Sequence, residues 1–185
     1  MARAWSAWLP DLLPQLPYCP TILVEHELKR AAQEFFKRTR AFKTMLAPIA
    51  VLASQENVTV VPDDPEQDLV GVEHAWLDGK EINATTAELL AENYGSDWKD
   101  HTGSPTSFMQ ETSGVLRLYP IPTDAAVTGL VCRVSVTPSE VSTGIPDDLG
   151  VTYRKELTCG AKAKLMLYAN KPWTSLDHGQ KHERD

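Results

Sequence analysis

The chain has 185 residues, 42% of them hydrophobic, with three cysteines and a formal net charge of -7. That length supports one ordinary domain burying roughly 70% of its unfolded surface. The acidic balance argues against a sequence-independent grip on nucleic acid, which needs Lys and Arg against phosphates. Cys19, Cys132 and Cys159 are odd in number and form no CxxC pair, which excludes a disulfide framework and a thiolate zinc site and predicts three buried free thiols.

Residues 1–18, MARAWSAWLPDLLPQLPY, place Trp5, Trp8, Leu9, Leu12, Leu13 and Leu16 at helical spacing, but Pro10 and Pro14 forbid a long regular helix. A short, proline-broken arm is expected, its apolar residues covering the end of a helical core or, alternatively, meeting a partner. The same prolines break up any signal-peptide h-region, and no apolar run is long enough to span a bilayer, so a reducing cytoplasm and no membrane are expected. The next stretch, TILVEHELKRAAQEFFKRTRAF, reads as a long helix with Val24, Leu28, Ala31, Phe35 and Phe42 buried and Glu25/Lys29 and Glu34/Arg38 as supporting pairs. It ends in the one basic cluster, Lys37, Arg38, Arg40 and Lys43, where cations suit the negative end of the helix dipole.

From Ile49 the apolar period changes to two. Strands are expected around Ile49 to Ala53 and Val58 to Val61, then through Val70, Val72, His74 and Trp76, which alternate with their neighbours up to the hairpin signal Asp78-Gly79. The acidic stretch from Asp63 to Asp68 lacks the glycine and terminal glutamate of an EF-hand and reads as a solvated turn. Thr85-x-x-Glu88 forms a capping box for a short helix from Thr86 to Asn93 that stops at Gly95. The loop SDWKDHTGSP, Ser96 to Pro105, gathers Trp98, His101 and two acids without a nucleophile and orienting base, so Trp98 is expected to anchor the loop. Three more strands follow: Thr106 to Glu111, Val115 to Tyr119, and the alternating Leu130, Cys132, Val134 and Val136.

The segment Ile145 to Trp173 predicts one further long helix, with Pro146 at its start, Asp147 and Asp148 in its first turn, and Asn170 and Pro172 at its stop. Leu149, Tyr153, Leu157, Ala161, Leu165 and Ala169 form its stripe, and Cys159, Gly160, Ala161 and Ala163 form a waist open to close approach by a second helix. The expected fold is therefore α+β: two long packed helices with short helical elements, plus an antiparallel β-sheet domain. One domain over residues 1–185 is expected, its helical part from 1–48 and 145–185 and its β-rich part from 49–144.

No Gly-rich phosphate loop, GxSxG elbow, HExxH or Cys/His ligand set appears, so no catalytic residue, cofactor or metal is assigned. His178 and His182, four apart with Glu183 next, make a weak metal pattern in a polar tail.

The segments LPDLLPQLPYCPTILVEHELKRAAQEFFKRTRAF, WLDGKEI, W-K-D-x-T-G-S-P, LRLYPIP and IPDDL...GAKAKLMLYANKPW, in that order and spacing, resemble the head-to-tail adaptor, or tail tubular, proteins of tailed phages, especially short-tailed ones. The resemblance runs from about Leu9 to Trp173. It implies a structural virion protein of the neck, present in the host cytoplasm during assembly and without enzymatic activity. It further implies a homo-oligomeric ring, commonly of about twelve subunits, below the portal protein and joined to a tail nozzle or tail tube protein. DNA would pass through its channel without specific binding. The chain departs from the pattern after Trp173, where TSLDHGQKHERD stands in place of a further long helix.

This C-terminal tail is too polar to order itself alone, since backbone ordering costs roughly 1–2 kcal/mol per residue. The expected contact is the portal or a neighbouring subunit, through Leu176, His178, His182 and Arg184 with Trp173 at the base; the alternative is that the tail folds back on its own subunit. The alternatives are a non-ring binding or assembly-chaperone module using Trp5 and Trp8 as anchors, and a small hydrolase built on the Trp98 to His101 loop.

Overall fold

A computed structural model describes residues 2–175 and 180. In chain order its elements are β1 (Ala2–Ala4), a 3-10 turn (Trp5–Trp8), α1 (Leu9–Leu12), a second 3-10 turn (Leu13–Gln15), α2 (Thr21–Thr39), β2 (Lys43–Met45), β3 (Asn57–Thr59), β4 (Gln67–Leu77) and β5 (Lys80–Ala84). There follow α3 (Ala87–Tyr94), a 3-10 turn (Trp98–Asp100), β6 (Thr102–Gly103), β7 (Ser107–Thr112), β8 (Val115–Tyr119), β9 (Ile121–Pro122), β10 (Leu130–Pro138), β11 (Gly144–Pro146), α4 (Asp147–Thr152) and α5 (Arg154–Met166). The chain forms two compact units, one from Met1–Phe42, Pro65–Gln67 and the chain from Thr137 onward, the other from Lys43–Asp64 and Asp68–Val136.

The expected fold of two long packed helices with an antiparallel sheet is overturned. The chain is mostly β, organised on a seven-stranded sheet of order β2-β10-β4-β5-β7-β8-β3. Among the described helices only α2, with 19 residues, is long, and α5 has 13. Two causes, one long-range and one local, shorten the C-terminal helix. Gly144 and Ile145 are drawn into strand pairing with β1, opposite Ala4 and Arg3. The approach is so close that a Cβ on Gly144 would collide with the Arg3 carbonyl. Farther on, Tyr153 leaves helical geometry at φ -107 and ψ 24, separating α4 from α5, while its ring packs on Phe35 at 5.0 Å. Helix α5 then stops at Met166, ahead of the left-handed Asn170 (φ 56).

In the first unit α2 buries Val24, Glu27, Leu28, Ala31, Ala32 and Phe36. The expected stripe is therefore rotated slightly, with Phe35 half-buried and Phe36 at the centre. The helix ends because Arg40 turns left-handed (φ 52), its N–H still reaching the Phe36 carbonyl. Leu157, Ala161 and Leu165 of α5 are fully buried, as the four-residue spacing predicts, whereas Ala169 is exposed. Glu66 accepts from the Thr143 N–H at 3.0 Å and its hydroxyl at 2.9 Å, so the acidic stretch supplies a structural acceptor as well as solvated charge.

In the second unit the Asp78-Gly79 hairpin forms as expected, both residues at positive φ (49 and 77), with Leu77 opposite Lys80 and Trp76 opposite Glu81. Asp78 then holds the facing loop, accepting from the Thr128 N–H at 2.7 Å, and these hydrogen bonds keep its carboxyl below the usual range. The sheet is not wholly antiparallel: β5 and β7 run parallel, Asn83 opposite Ser107, because the chain crosses over through α3 before returning. Thr86, one residue later than expected, caps α3 by accepting from the Leu89 N–H at 3.4 Å. The segment from Ile49 to Ala53 forms no strand, only a bridge from Ile49 to Leu130. Strand β4 buries Gly71, Ala75 and Leu77, leaving His74 exposed and stacked on Trp76.

Candidate functional site

The residues singled out for partner contact fall into three groups. Trp5 and Trp8 belong to the core of the first unit: Trp5 donates its indole N–H to the Ser142 carbonyl at 2.9 Å, and Trp8 is 1% exposed. Trp173 is 8% exposed and closes a short turn after α5, in which Lys171 N–H donates to the Thr174 hydroxyl at 3.0 Å and Ser175 N–H to the Met166 carbonyl at 3.0 Å. Leu176, His178, His182 and Arg184 lie outside the described residues.

A buried carboxylate pins the base of the tail. Glu27, 1% exposed, accepts from the Tyr168 hydroxyl at 3.0 Å and pairs with Arg30 at 3.3 Å. The carboxylate pushes the Tyr168 phenol up, since a phenolate beside it would lose the hydrogen bond and face a like charge. Glu27 lies three residues after Val24 and four before Ala31, on the apolar face of the α2 wheel. An acid in that position needs a partner, a signal available from spacing alone, although the partner 141 positions away was not. In a Glu27→Gln variant the Tyr168 phenol should titrate at lower pH than in the parent, measured by NMR. An unchanged titration would place the cause in burial alone.

Between α2 and α5 lies a groove of about 360 Å³, floored by Ala31, Cys159, Gly160 and Ala163 and walled by Phe35 and Leu167. The small-residue waist lets the two helices approach closely beside it, for a Cβ on Gly160 would already meet that of Ala31 at 3.3 Å. Its rim carries Glu34, which Lys164 holds at 3.0 Å and Arg38 pairs in the next turn, so that both cations keep its carboxyl low. Arg38 and Lys37 sit in the last turn of α2, as the dipole argument expects. Lys43, in the other unit, pairs with Glu73 at 2.7 Å.

The Trp98 loop of the second unit is an anchored loop. Trp98, Leu90, Met109 and Tyr119 make a small buried cluster, with the Arg117 guanidinium 5.0 Å from the Trp98 ring centre. His101 Nδ1 lies 3.0 Å from the Tyr119 hydroxyl and Nε2 lies 3.8 Å from Asp97, so the histidine ties the loop to β8. Among the described residues no group of three His, Cys, Asp or Glu is placed to hold a metal, and no helix is long and apolar enough to cross a membrane. His178 and His182 lie outside that description.

The family model described as SU10 adaptor protein matches residues 7–171. The chain belongs to the SU10 adaptor protein family. The match spans nearly all of both units and stops before Trp173 and the tail. Membership makes the chain a phage adaptor, a structural protein of the virion, in line with the resemblance read from its landmarks. No curated protein matches it.

Proposed function

We propose that the chain is a head-to-tail adaptor of a short-tailed phage. It works as one module, remaining monomeric when free and assembling on the portal protein as a closed ring of about twelve copies. The ring joins the portal to the tail nozzle or tail tube protein and passes DNA without specific binding. The observation that carries this reading is the adaptor-family match across residues 7–171. The net charge of -7 supports it, because every Lys or Arg contact with phosphate would add a salt-dependent brake to sliding DNA. Within it, the tail residues Leu176, His178, His182 and Arg184, based at Trp173, supply the portal contact by strand pairing or charge complementarity. The alternative as a free binding module needed Trp5 and Trp8 as anchors, and both side chains are committed to the core.

Light scattering should give a monomer for the purified chain at micromolar concentration. On purified portal particles, electron microscopy should show rings of about twelve copies. Deleting residues 176–185 should abolish the pull-down with portal while leaving thermal unfolding unchanged. Failure of the intact chain to bind portal would overturn the function, and retained binding by the deletion variant would move the contact off the tail.

A further inference from the structure

We propose that the groove between α2 and α5 receives a second copy of the chain, whose Tyr18 and Ile22 enter it as an apolar knob. This contact rests on the ring reading above, for which it supplies the surfaces where neighbouring subunits meet.

Three observations point to that occupant. The first is a knob left in water. Tyr18 is 89% exposed and Ile22, in the first turn of α2, is 77% exposed, the two barest large apolar side chains described in the first unit. Tyr18 also has φ 65, in a turn closed by the Cys19 N–H on the Leu16 carbonyl at 3.1 Å. Gly or Asn takes such a backbone more readily, so the turn accepts strain to hold a bulky ring in solvent. The second is direction. Ala31 on the groove floor lies nine residues after Ile22, about two and a half turns of α2, so knob and groove face opposite sides of one helix. A copy whose groove is filled still offers its own knob, the heterologous arrangement from which rings close. The third is complementarity. Glu25 shares a hollow with Ile22 and has no ion pair among the described residues, while Lys29, four residues on, donates to the Glu140 carbonyl at 2.7 Å. At the groove rim two cations, Arg38 and Lys164, share one carboxylate, that of Glu34. Glu25 of the incoming copy supplies Lys164 with a second, and the Tyr18 hydroxyl donates to Glu156, about 12 Å farther along α5. Ile22 lies between them, over the floor of Ala31, Gly160 and Ala163. Two side chains bury less than the roughly 1,200 Å² of a stable complex, so the contact holds only where copies are concentrated, as on a portal.

Cys159 on the groove floor supplies the readout. It is half-buried, whereas Cys19 and Cys132 are buried and burial pushes both thiols up, that of Cys132 to about 11. The full chain carrying Cys19→Ala and Ile22→Cys is oxidised at rising concentration and again on portal particles, and its disulfides are located by peptide mass spectrometry. Position 22 of one copy should link to Cys159 of another, with a yield that rises with concentration and vanishes with Cys159→Ser. Glu25→Lys should cut the yield about fivefold, and adding Lys164→Glu should restore it. In the chain with native cysteines, Ile22→Asp changes an exposed site and should leave thermal unfolding unchanged. It should still weaken self-association at least about tenfold in sedimentation equilibrium. Rings on the portal without the linkage overturn this contact and leave the adaptor reading standing. Linkage in concentrated solution without rings on the portal upholds the contact and removes that reading. A yield independent of concentration overturns the contact, because both positions would then belong to one chain, and so does the absence of linkage in both settings.

Discussion

Trp8→Ala should lower the unfolding free energy by about 3–5 kcal/mol, the usual cost of truncating a buried Trp or Phe. The indole is 1% exposed and is packed from two sides: Gly150 of α4 comes so close that a Cβ there would lie 3.3 Å from Trp8 Cζ2, and the Arg154 guanidinium sits 5.7 Å from the ring centre. Removing the ring leaves a cavity bounded by α4 and the Arg3 stem, and the paired backbone of β1 and β11 restricts how far those elements can collapse into it. A Phe at the same place should cost far less. The Trp8 Nε1–H has no hydrogen-bond partner among the described residues, so Trp8→Phe removes a donor whose burial costs about 1–3 kcal/mol and offsets much of the lost packing. Chemical denaturation of the two variants checks this. If Trp8→Ala were within 1 kcal/mol of the parent, the arm would be shown to lie outside the cooperative core.

The second large effect belongs to the other unit. Gly129, which leads into β10, has φ +79, and a Cβ there would sit 2.6 Å from the Ile49 carbonyl oxygen, which accepts the Leu130 N–H at 2.8 Å. Gly129→Ala therefore carries a left-handed backbone penalty of about 1–2 kcal/mol and a further ~1–3 kcal/mol for forcing backbone apart. The same displacement breaks the Ile49/Leu130 bridge and disturbs the loop that Asp78 holds through Thr128. Loss of hydrogen-exchange protection should appear first at Ile49 and Leu130. Gly79→Ala is the control: its φ of +77 carries the same strain, but nothing lies within 4 Å of the added methyl. Gly79→Ala should therefore cost the smaller sum. Equal costs would show that strain alone, and not the collision with Ile49, makes Gly129 necessary.

Local grammar determined a good part of this protein. The Asp78-Gly79 turn, the stop of α3 at Gly95, strand β8 from Val115 to Tyr119 and the buried Leu157, Ala161 and Leu165 follow from turn chemistry and apolar period, which act within a few residues. The adaptor identity was legible in the order of landmarks, and the family match spans nearly the same stretch. Tertiary structure decided the rest. Ile145 and Pro146 read as the start of a helix, yet they pair with β1, because strand pairing is a contact across 142 positions at Arg3 and Ile145 that no window contains. The parallel β5–β7 pair likewise depends on how α3 crosses over, and the face of β4 that is buried depends on which side the core lies, a choice that alternation leaves open. Glu27 and the α2–α5 groove show the same division. Spacing marked a small-residue waist and carried an unread signal at Glu27, an acid on an apolar face, but only packing set Ala31 against the one and brought Tyr168 to the other.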